Sequence, residues 1–431
     1  MVGGAVRDML LGLPVQDRDW VVVGSTPEEL VALGFLPVGK DFPVFLHPKT
    51  KEEYALARTE RKTARGYRGF DVHAAPDVTL EQDLARRDLT INSIAACALI
   101  DWSTGQFGTD FDAGISALID PYGGQRDIQH KVLRHVTDAF AEDPVRILRV
   151  ARFAARFTDF SVAPETMALM RHMVADGEAN ALVAERVWQE LSNGLMQAQP
   201  SRMMHVLQAC GALHKLLPEL AWSAGADAVI DRAANAHAPL PVRFACLVTS
   251  SLNNSDPQQL ESDPNLFFAC LVTSSLINSD PQQLESDPNL IQQLESDPNL
   301  IKELSGLCDR LRVPIECREL GILVWREHVQ VARSAALDAD GLVQLLQRCD
   351  AFRRPQRFTQ VLLACECVDA ARQSNRLKSA LAAAQTVATE KIAKEAYITG
   401  ATAKNNGEMI AKAIHNARVR AVASLEAAGA A

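Results

Sequence analysis

The alternation of apolar and polar positions divides the chain into two parts. In residues 1–135, short apolar runs at strand period are mixed with short helical segments, which is the pattern of an α/β domain. The second predicted helix follows Ser25 and Thr26, which are good N-cap residues, and has a proline at its first position. The predicted strands are Trp20–Val23, Phe42–Leu46 and Glu53–Thr59, and the predicted helices are Arg7–Leu13 and Pro27–Leu33.

Beyond Pro144, apolar residues recur at helical spacing with almost no strand signal. The first predicted helices of this part are Arg146–Phe157, Pro164–Val174, Ala184–Met196 and Met203–Leu217. The rest of the ordered chain is also expected to be helical. The predicted fold class is therefore an α/β head, with a mixed sheet and helices, followed by an all-α neck, body and tail. The predicted domains are 1–135, 136–217 and 218–431.

One segment of the helical part is duplicated. Phe244–Leu266 recurs almost letter for letter as Phe268–Leu290, and its last nine residues recur again at 292–300. Near-identical copies indicate a recent duplication, whereas the units of a solenoid diverge at exposed positions. We expect 244–300 to form a surface loop or helical extension, in which Ser-Asp-Pro triplets end one segment and begin the next.

Composition narrows the class of protein. The 431 residues are 48% hydrophobic and 23% charged, as in ordinary globular proteins. No apolar run is long enough to cross a bilayer and no signal sequence opens the chain, so we expect a cytoplasmic protein without a membrane partner. Nine cysteines without a CxxC pair are expected to be reduced and buried. The net charge of −9 disfavours a general nucleic-acid binder, although a local basic surface suffices for an RNA substrate.

The opening of the chain has the features of a phosphate-binding turn. Gly3 and Gly4 precede a predicted helix, where backbone amides can approach a triphosphate closely and the helix N-terminus favours negative charge. Arg7 adds a forked donor for phosphate oxygens. Asp17 and Asp19 follow, and on a strand residues two apart point to the same face. Two convergent carboxylates beside a phosphate site predict a Mg²⁺ pair, although in isolation they would indicate solvated turn charges.

Two further motifs are candidates for nucleotide recognition. In DLARRDLTIN, Arg87 could hold the sugar or phosphates, with Asp88 and Asn92 ordering it or the metal site; the alternative is an ion-pair cluster on a helix surface. Asp143 and Arg146 are three residues apart at a predicted helix start, and so are neighbours on one face. An acceptor beside a donor matches the edges of cytosine and adenine and rejects uracil and guanine. The alternative here is an N-cap aspartate with a helix ion pair.

These motifs resemble those of the class II tRNA nucleotidyltransferase and poly(A) polymerase family. The similarity covers about residues 2–217, through GGAVRDMLLG, DRDWVVVG, RRDLTIN and AEDPVRILRVARFAARF. The resemblance implies a template-independent enzyme that adds CCA to tRNA lacking all or part of it, using CTP, ATP and Mg²⁺. It also implies Asp17 and Asp19 as catalytic metal ligands, and it leaves the oligomeric state open. The implied nucleotide-binding residues are Gly4, Arg7, Arg87, Asp143, Arg146 and Arg149.

The basic stretch from Thr59 to Phe70 contains Arg61, Lys62, Arg65 and Arg68 and is predicted to be a mobile loop. In the family, a loop at this place is thought to help the change from CTP to ATP. The beginning of the chain departs from the family, in which a full strand precedes the glycine turn; here only Met1 and Val2 do. A late start or a truncated first strand would expose sheet-edge backbone and loosen the metal site.

Longer relatives in the family carry a His-Asp phosphohydrolase domain. Here the helix Val242–Leu247 leads into Thr249-Ser250-Ser251, and no histidine in the chain is followed by aspartate. We therefore expect no phosphatase or phosphodiesterase activity from a degenerate His-Asp region. Two alternatives to CCA addition stay open: a bacterial poly(A) polymerase, and a catalytically weak RNA-binding remnant.

Overall fold

The computed structural model describes two compact units, Met1–Pro218 and Glu219–Ala431. The residues described are 1–38, 44–62, 70–98, 100–101, 106–107, 115–251, 298–369, 374–398 and 406–429. The first part of the predicted strand Phe42–Leu46, the basic residues Arg65 and Arg68, and most of the duplicated segment lie outside these ranges. The division at Pro218 falls beside the predicted neck–body boundary, while the boundary at 135/136 stays a prediction.

The first unit contains a four-stranded sheet in the order β1-β4-β3-β2, in which β1 and β4 are parallel and the other pairs antiparallel. Strands β7 and β10 form a separate antiparallel pair. The strands are β1 (Asp19–Val22), β2 (Leu36–Val38), β3 (Val44–Leu46), β4 (Glu53–Leu56), β5 (Thr59–Lys62), β6 (Phe70–His73), β7 (Ala95–Ala98), β8 (Ile100–Asp101), β9 (Gln106–Phe107), β10 (Ile115–Ile119), β11 (Val132–Leu133) and β12 (Ser161–Val162).

Met1 and Val2 join these two sheets. Val2 forms antiparallel bridges with Asp19 on one side and Ala95 on the other, and its amide donates to the Asp19 carbonyl at 2.9 Å. The Met1 carbonyl accepts from the Ala96 amide at 2.8 Å, and Val2 is 2% exposed. Val2 therefore covers the edge backbone at Asp19 and Ala95, which a truncated first strand was expected to expose.

The basic stretch begins as a strand, so the prediction of a loop from Thr59 was wrong for its first four residues. Strand β5 pairs with β6 in an antiparallel register from Thr59–His73 to Lys62–Phe70. Charged residues have weak strand propensity, and the pairing with a partner strand determines the outcome here. The predicted all-α neck also contains β12, two residues that pair in parallel with β11.

The helices of the first unit are α1 (Gly4–Leu10), α2 (Pro27–Ala32), α3 (Leu80–Ala85), α4 (Gly124–His130), α5 (Val145–Arg156), α6 (Pro164–Ala175), α7 (Ala184–Leu195), α8 (Pro200–Ala209) and α9 (Ala212–Leu216). Helix α2 has the predicted cap: the Glu29 amide donates to Thr26 Oγ1 at 3.3 Å, and Thr26 N donates back to Glu29 Oε2 at 3.1 Å. Such a cap contributes about 1 kcal/mol. Gly211, at φ +80°, breaks the predicted helix Met203–Leu217 into α8 and α9.

Helix α5 packs through one face against two other helices of the neck. Its apolar face includes Ile147, Val150 and Ala154, each of which is at most 1% exposed. This face packs against α7 and α8, while arginines at 146, 149, 152 and 156 form a stripe along the helix. An amphipathic helix of this kind is stabilised by burying one face and leaves the other for polar contacts.

The longer elements of the second unit are all helices among its described residues. Its helices are α10 (Ala224–Asn235), α11 (Leu240–Ser251), α12 (Pro298–Leu311), α13 (Ile315–Ala332), α14 (Ala339–Arg348), α15 (Pro355–Val368), α16 (Asn375–Gln385), α17 (Thr389–Ile398) and α18 (Asn406–Gly429). Pro298, which ends the last Ser-Asp-Pro triplet, is the first residue of α12. Seven of the eight described cysteines are buried, whereas Cys97 is exposed, contrary to expectation. No described helix is both long and apolar enough to span a bilayer.

Candidate active site

The glycine turn lies directly against two arginines. Gly3 caps α1 in a conformation with φ +73°, which side-chain-bearing residues rarely adopt. A Cβ at Gly3 would lie 2.8 Å from Arg87 Nη1, and one at Gly4 would lie 3.4 Å from Arg7 Nη2. The prediction placed α1 three residues too late, because the Gly3 cap lets the helix begin at Gly4. Because Gly3 and Gly4 have no side chains, the guanidinium groups of Arg87 and Arg7 can lie against the start of α1.

Arg7 is buried, with only 4% of its surface exposed. Its Nη1 donates to Asn92 Oδ1 at 2.5 Å and its Nε to Asp8 Oδ1 at 2.9 Å. The rings of Phe153, on α5, and of Phe157, the C-cap residue of α5, lie 5.1 and 5.3 Å from the guanidinium carbon. Burial lowers the pKa of Arg7 and the adjacent Asp8 opposes this. Arginine remains charged in proteins, so this is a fixed positive charge beside the glycine turn.

Arg87 is oriented by a buried carboxylate. Its Nη2 donates to Asp83 Oδ2 at 3.1 Å, and Arg86 Nη2 donates to Asp83 Oδ1 at 2.7 Å. Burial raises the pKa of Asp83, but Arg86 and Arg87 outweigh it and the net pKa is lowered. Arg87 Nε is buried without a hydrogen-bond partner among the described residues. A buried donor without a partner is costly, and an anion at the glycine turn would provide the missing acceptor.

Asp88 and Asn92 connect this turn to the neck. Asp88 Oδ1 accepts from Asn92 Nδ2 at 2.9 Å, and Asp88 Oδ2 accepts from Arg149 Nε at 2.7 Å. Burial opposes ionisation of Asp88, but Arg149 and Asn92 hold its pKa well below the usual range. The polar chain Arg7–Asn92–Asp88–Arg149 therefore runs from α1 to α5. Asp88 and Asn92 were expected to order Arg87 or the metal site, but here Asn92 binds Arg7 and Asp88 binds Arg149, while Arg87 is held by Asp83.

The two predicted metal ligands lie at the start of β1. Asp19 is the first strand residue, whereas Asp17 precedes the strand, so the assumption that both lie on it was wrong. Both carboxylates are exposed, and neither has a hydrogen-bond or ion-pair partner among the described residues. The described ranges contain no group of three or more His, Cys, Asp or Glu side chains that could together hold a metal ion. Two open carboxylates fit Mg²⁺, which commonly takes one or two carboxylates and completes its shell with phosphates and water.

The predicted base-reading residues lie at the N-terminus of α5. The Val145 amide donates to Asp143 Oδ1 at 3.1 Å, as for a cap. Arg186, on α7, donates from Nη1 to Asp143 Oδ1 at 3.1 Å and from Nη2 to Asp143 Oδ2 at 2.8 Å. Arg146 is 8% exposed, and its Nη1 and Nη2 donate to the carbonyls of Ala139 and Arg86 at 2.8 and 2.6 Å. The Asp143 carboxylate is thus held by Arg186 and the Arg146 guanidinium by backbone carbonyls, and the joint reading of a base by Asp143 and Arg146 stays a prediction.

Several further residues contribute to the site, and this role was not predicted for them from the sequence. Asp8, Asp83 and Glu190 each hold an arginine of the site, and Arg186 holds Asp143. Glu190 accepts from Arg152 Nε at 2.5 Å and lies 3.9 Å from Arg149 Nη1. The one available signal was the opposite charge of Arg186 and Glu190, four residues apart on a predicted helix.

Two family descriptions match parts of the first 223 residues. Residues 1–134 match the Poly A polymerase head domain, and residues 159–223 match the "Probable RNA and SrmB- binding site of polymerase A".

Relatives extend the similarity over the whole chain. The chain is 55% identical to the multifunctional CCA protein of Polaromonas naphthalenivorans, covering 99% of this chain and 98% of the relative. It is 54% identical to the multifunctional CCA protein of Variovorax paradoxus, with 99% of each covered. The CCA-adding enzyme of Bacillus stearothermophilus, solved with CTP, has the same fold at 20% identity, with a TM-score of 0.60 over 99% of this chain and 88% of that one.

Proposed function

The chain belongs to the poly(A) polymerase and tRNA nucleotidyltransferase family that includes the multifunctional CCA proteins, and we propose that it adds the 3′-terminal CCA to tRNA from CTP and ATP. The observation that carries the proposal is the polar chain Arg7–Asn92–Asp88–Arg149. It links the glycine turn, which is suited to a triphosphate, to the helix whose N-terminus carries Asp143. Because the substrate is tRNA, we place the reaction in the cytoplasm.

In the proposed reaction, the 3′-hydroxyl of tRNA attacks the α-phosphorus of the nucleotide. A bond forms from O3′ to this phosphorus, the hydroxyl proton passes to solvent, the bond to the bridging oxygen breaks, and pyrophosphate leaves with that electron pair. The hydroxyl of the RNA is the nucleophile, so the protein supplies positioning and charge. Gly4 lets the phosphates approach the backbone, Arg7 and Arg87 neutralise their charge, and Arg149 is held by Asp88 beside the nucleotide.

The proposed cofactor is Mg²⁺, held by Asp17 and Asp19. When bound, the metal lowers the pKa of an attacking hydroxyl and neutralises a leaving phosphate. The two carboxylates supply hard oxygen ligands at the end of the bridged sheet, and Val2 fixes the backbone of Asp19 from the side of the glycine turn.

Base selection is proposed to lie with Asp143 and Arg146. The carboxylate accepts from the exocyclic amine of cytosine or adenine, and the guanidinium donates to the adjacent ring nitrogen. Uracil and guanine present a carbonyl oxygen and a protonated nitrogen at these positions. They would leave buried polar groups unpaired, which gives strong rejection.

The direct test is incorporation of labelled CTP or ATP into tRNA lacking its last three nucleotides, in the presence of Mg²⁺. We expect both nucleotides to be incorporated, and the variant Asp17→Ala with Asp19→Ala to lose activity by several orders of magnitude. Incorporation that this double variant leaves unchanged would overturn the assignment of the metal ligands. Absence of incorporation by the unaltered protein would overturn the function.

The head-domain similarity also favours a second candidate, a poly(A) polymerase. The same assay separates the two, because a poly(A) polymerase would extend RNA with ATP and not use CTP.

We further propose that the second unit has no phosphohydrolase activity. Thr249 and Ser250 lie in α11, directly after the apolar run that leads into a His-Asp pair in the longer relatives. Thr249 Oγ1 is buried without a hydrogen-bond partner among the described residues, and a hydroxyl does not replace imidazole as a metal ligand. Hydrolysis of bis-p-nitrophenyl phosphate with Mn²⁺, Ni²⁺ or Mg²⁺ would contradict this.

A further inference from the structure

We propose that Glu52 is a positioning residue for the metal site, which it serves by holding Arg18 and Trp20. These two residues flank Asp19 in the chain, and fixing them keeps the carboxylates of Asp17 and Asp19 directed to one place. In this role Glu52 touches neither the metal nor the nucleotide. The inference rests on the proposed binding of Mg²⁺ by Asp17 and Asp19, and it adds a residue from the turn before β4.

The segment that carries the two carboxylates has two different faces. Asp17 and Asp19 are exposed, whereas Arg18 is half-buried and Trp20 is 4% exposed. Such alternation is typical of an extended segment, in which successive side chains point to opposite faces. The carboxylates thus share the open face, while Arg18 and Trp20 share the packed face. Because one backbone carries both faces, a contact that fixes the packed face also fixes the direction of the carboxylates.

The Glu52 carboxylate contacts the packed face with both of its oxygens. Oε2 accepts from Trp20 Nε1 at 3.2 Å, and Oε1 lies 3.7 Å from Arg18 Nη1. The side chains of Arg18 and Glu52 are 34% and 21% exposed, so solvent only partly screens the pair. One carboxylate therefore holds the residues on both sides of Asp19, which restricts rotation of the backbone there.

The pairing of β1 with β4 explains why this contact can form. The strands are parallel, with Trp20 opposite Tyr54, and the two rings stack with centroids 5.6 Å apart and planes at 12°. Continued to the preceding residues, the same register places Arg18 beside Glu52. The packed face thus begins with a charged pair and continues with an aromatic pair. The charged pair is the one that lies level with the proposed metal ligands.

Glu52 can anchor β1 because its own position is fixed by the turn that joins β3 to β4. Its carbonyl accepts from the His47 amide at 2.9 Å, and its amide donates to Thr50 Oγ1 at 3.4 Å. The Thr50 hydroxyl also lies 3.4 Å from Glu52 Oε2, within reach of a hydrogen bond. The backbone and the carboxylate of Glu52 are therefore oriented from within the turn, independently of β1.

Holding Arg18 also keeps a competing cation away from the metal site. Arg18 lies between Asp17 and Asp19 in the chain, and a guanidinium that turned to the open face would pair with the carboxylates that Mg²⁺ requires. Glu52 gives this charge a partner on the packed face. Loss of Glu52 would therefore weaken metal binding in two ways, by loosening the carboxylates and by freeing a cation to pair with them.

The test measures metal binding by Glu52→Ala and Glu52→Gln in the presence of CTP and without tRNA. Mn²⁺ replaces Mg²⁺ as the probe, since free Mn²⁺ is quantified by electron paramagnetic resonance. The binding that is lost in Asp17→Ala with Asp19→Ala defines the site. We expect the Mn²⁺ dissociation constant to rise at least about tenfold in Glu52→Ala. Glu52→Gln keeps an acceptor for Trp20 but not the charge, and should lie between Glu52→Ala and the parent.

Activity gives a second readout on the same variants. The Mg²⁺ concentration for half-maximal CTP incorporation should rise in parallel with the Mn²⁺ dissociation constant. KM for CTP at saturating Mg²⁺ should change by less than about twofold, because the phosphate-binding arginines are untouched. Glu28→Ala is the matched control, since Glu28 is an exposed glutamate in the first turn of α2, and it should bind Mn²⁺ as the parent does.

Unchanged Mn²⁺ affinity in both Glu52 variants would overturn the proposal, even if their unfolding temperature fell, because the role of Glu52 would then be structural only. Absence of any Mn²⁺ binding that depends on Asp17 and Asp19 in the parent would instead overturn the assignment of the metal ligands, and this inference with it. If Glu52→Ala does not fold, as judged by circular dichroism, Glu52→Gln decides.

Discussion

Arg7 and Asn92 are 85 residues apart in the sequence, and Nη1 of Arg7 donates to Oδ1 of Asn92 at 2.5 Å in a buried contact. The same amide group donates to Asp88, so Asn92 is the central link between the glycine turn and the neck helix α5. A group that both accepts and donates is needed here, because one neighbour is a cation and the other an anion. An asparagine side chain meets this requirement without adding charge.

Replacing Asn92 by leucine should weaken triphosphate binding without altering base choice. The substitution is close to isosteric and leaves the buried Arg7 guanidinium without one acceptor, at a cost of roughly 1–3 kcal/mol. We expect kcat/KM to fall about tenfold to a hundredfold for CTP and ATP alike. Asn193→Leu is the matched control, since Asn193 is an exposed asparagine on α7. A changed ratio of CTP to ATP use, with pyrophosphate inhibition intact, would contradict this role.

The local features of this chain could be predicted from the sequence, and the contacts between distant segments could not. The cap of α2 is local: Thr26 was correctly predicted as a cap residue ahead of Pro27, and the structure adds its reciprocal bond with Glu29, three residues on. Arg7 and Arg87 were identified as candidates because each lies within a recognisable motif. Their partners Asn92 and Asp83 were not assigned to them, because hydrogen bonds between segments leave no periodicity in the sequence. Arg186 was missed for the same reason.

The error at β5 has a related physical origin. Thr59-Glu60-Arg61-Lys62 has the composition of a surface loop, and only the register with Phe70–His73 makes it a strand. Strand propensity depends on the neighbouring strand more than helix propensity depends on its surroundings. The interpretation of Asp17 and Asp19 as a strand pair failed differently: the acidic pair was recognised, but the strand begins at its second member. Element boundaries are set by pairing, here with Val2 and β4.

Gly3→Ala tests the close approach of Arg87 to the turn. The new Cβ would lie 2.8 Å from Arg87 Nη1, and the φ of +73° adds backbone strain of roughly 1–2 kcal/mol. Gly12→Ala is a closely matched control, because Gly12 has φ +68° and nothing within 4 Å of its Cβ position. We expect similar losses of stability in urea denaturation, but a raised KM for CTP in Gly3→Ala alone. Equal KM values for the two variants would show that the position of Arg87 in the site does not require residue 3 to lack a side chain.

Asp88 should make the first unit sensitive to acid. Burial raises its pKa, but Arg149 and Asn92 outweigh burial, so the folded-state pKa lies below the unfolded value near 4. A depressed carboxylate pKa stabilises the fold above the unfolded pKa, and this stabilisation is lost as the pH falls through the folded-state pKa. We expect the free energy of unfolding to decline below about pH 4, and to decline less steeply in Asp88→Asn. The measurement is urea denaturation of both proteins between pH 7 and pH 3, and parallel curves would contradict the prediction.

Gly124→Ala should disturb the site from behind, through the turn that carries Asn92. Asp120 accepts from the amides of Gly124 and Gln125 at 2.7 and 2.8 Å and fixes the start of α4. A Cβ at Gly124 would lie 2.2 Å from the carbonyl oxygen of Thr90, so the Thr90–Asn92 turn must move. We expect a loss of about 1–3 kcal/mol in the free energy of unfolding, typical of overpacking, together with reduced kcat/KM for both nucleotides.

Gly306→Ala, in α12, is the control: it has nothing within 4 Å of its Cβ position and should instead stabilise the protein by about 0.5–1 kcal/mol, as alanine does in a helix. Normal activity in a destabilised Gly124→Ala would mean that the position of Asn92 tolerates the displacement, and that the contact with Arg7 is less critical than its short distance indicates.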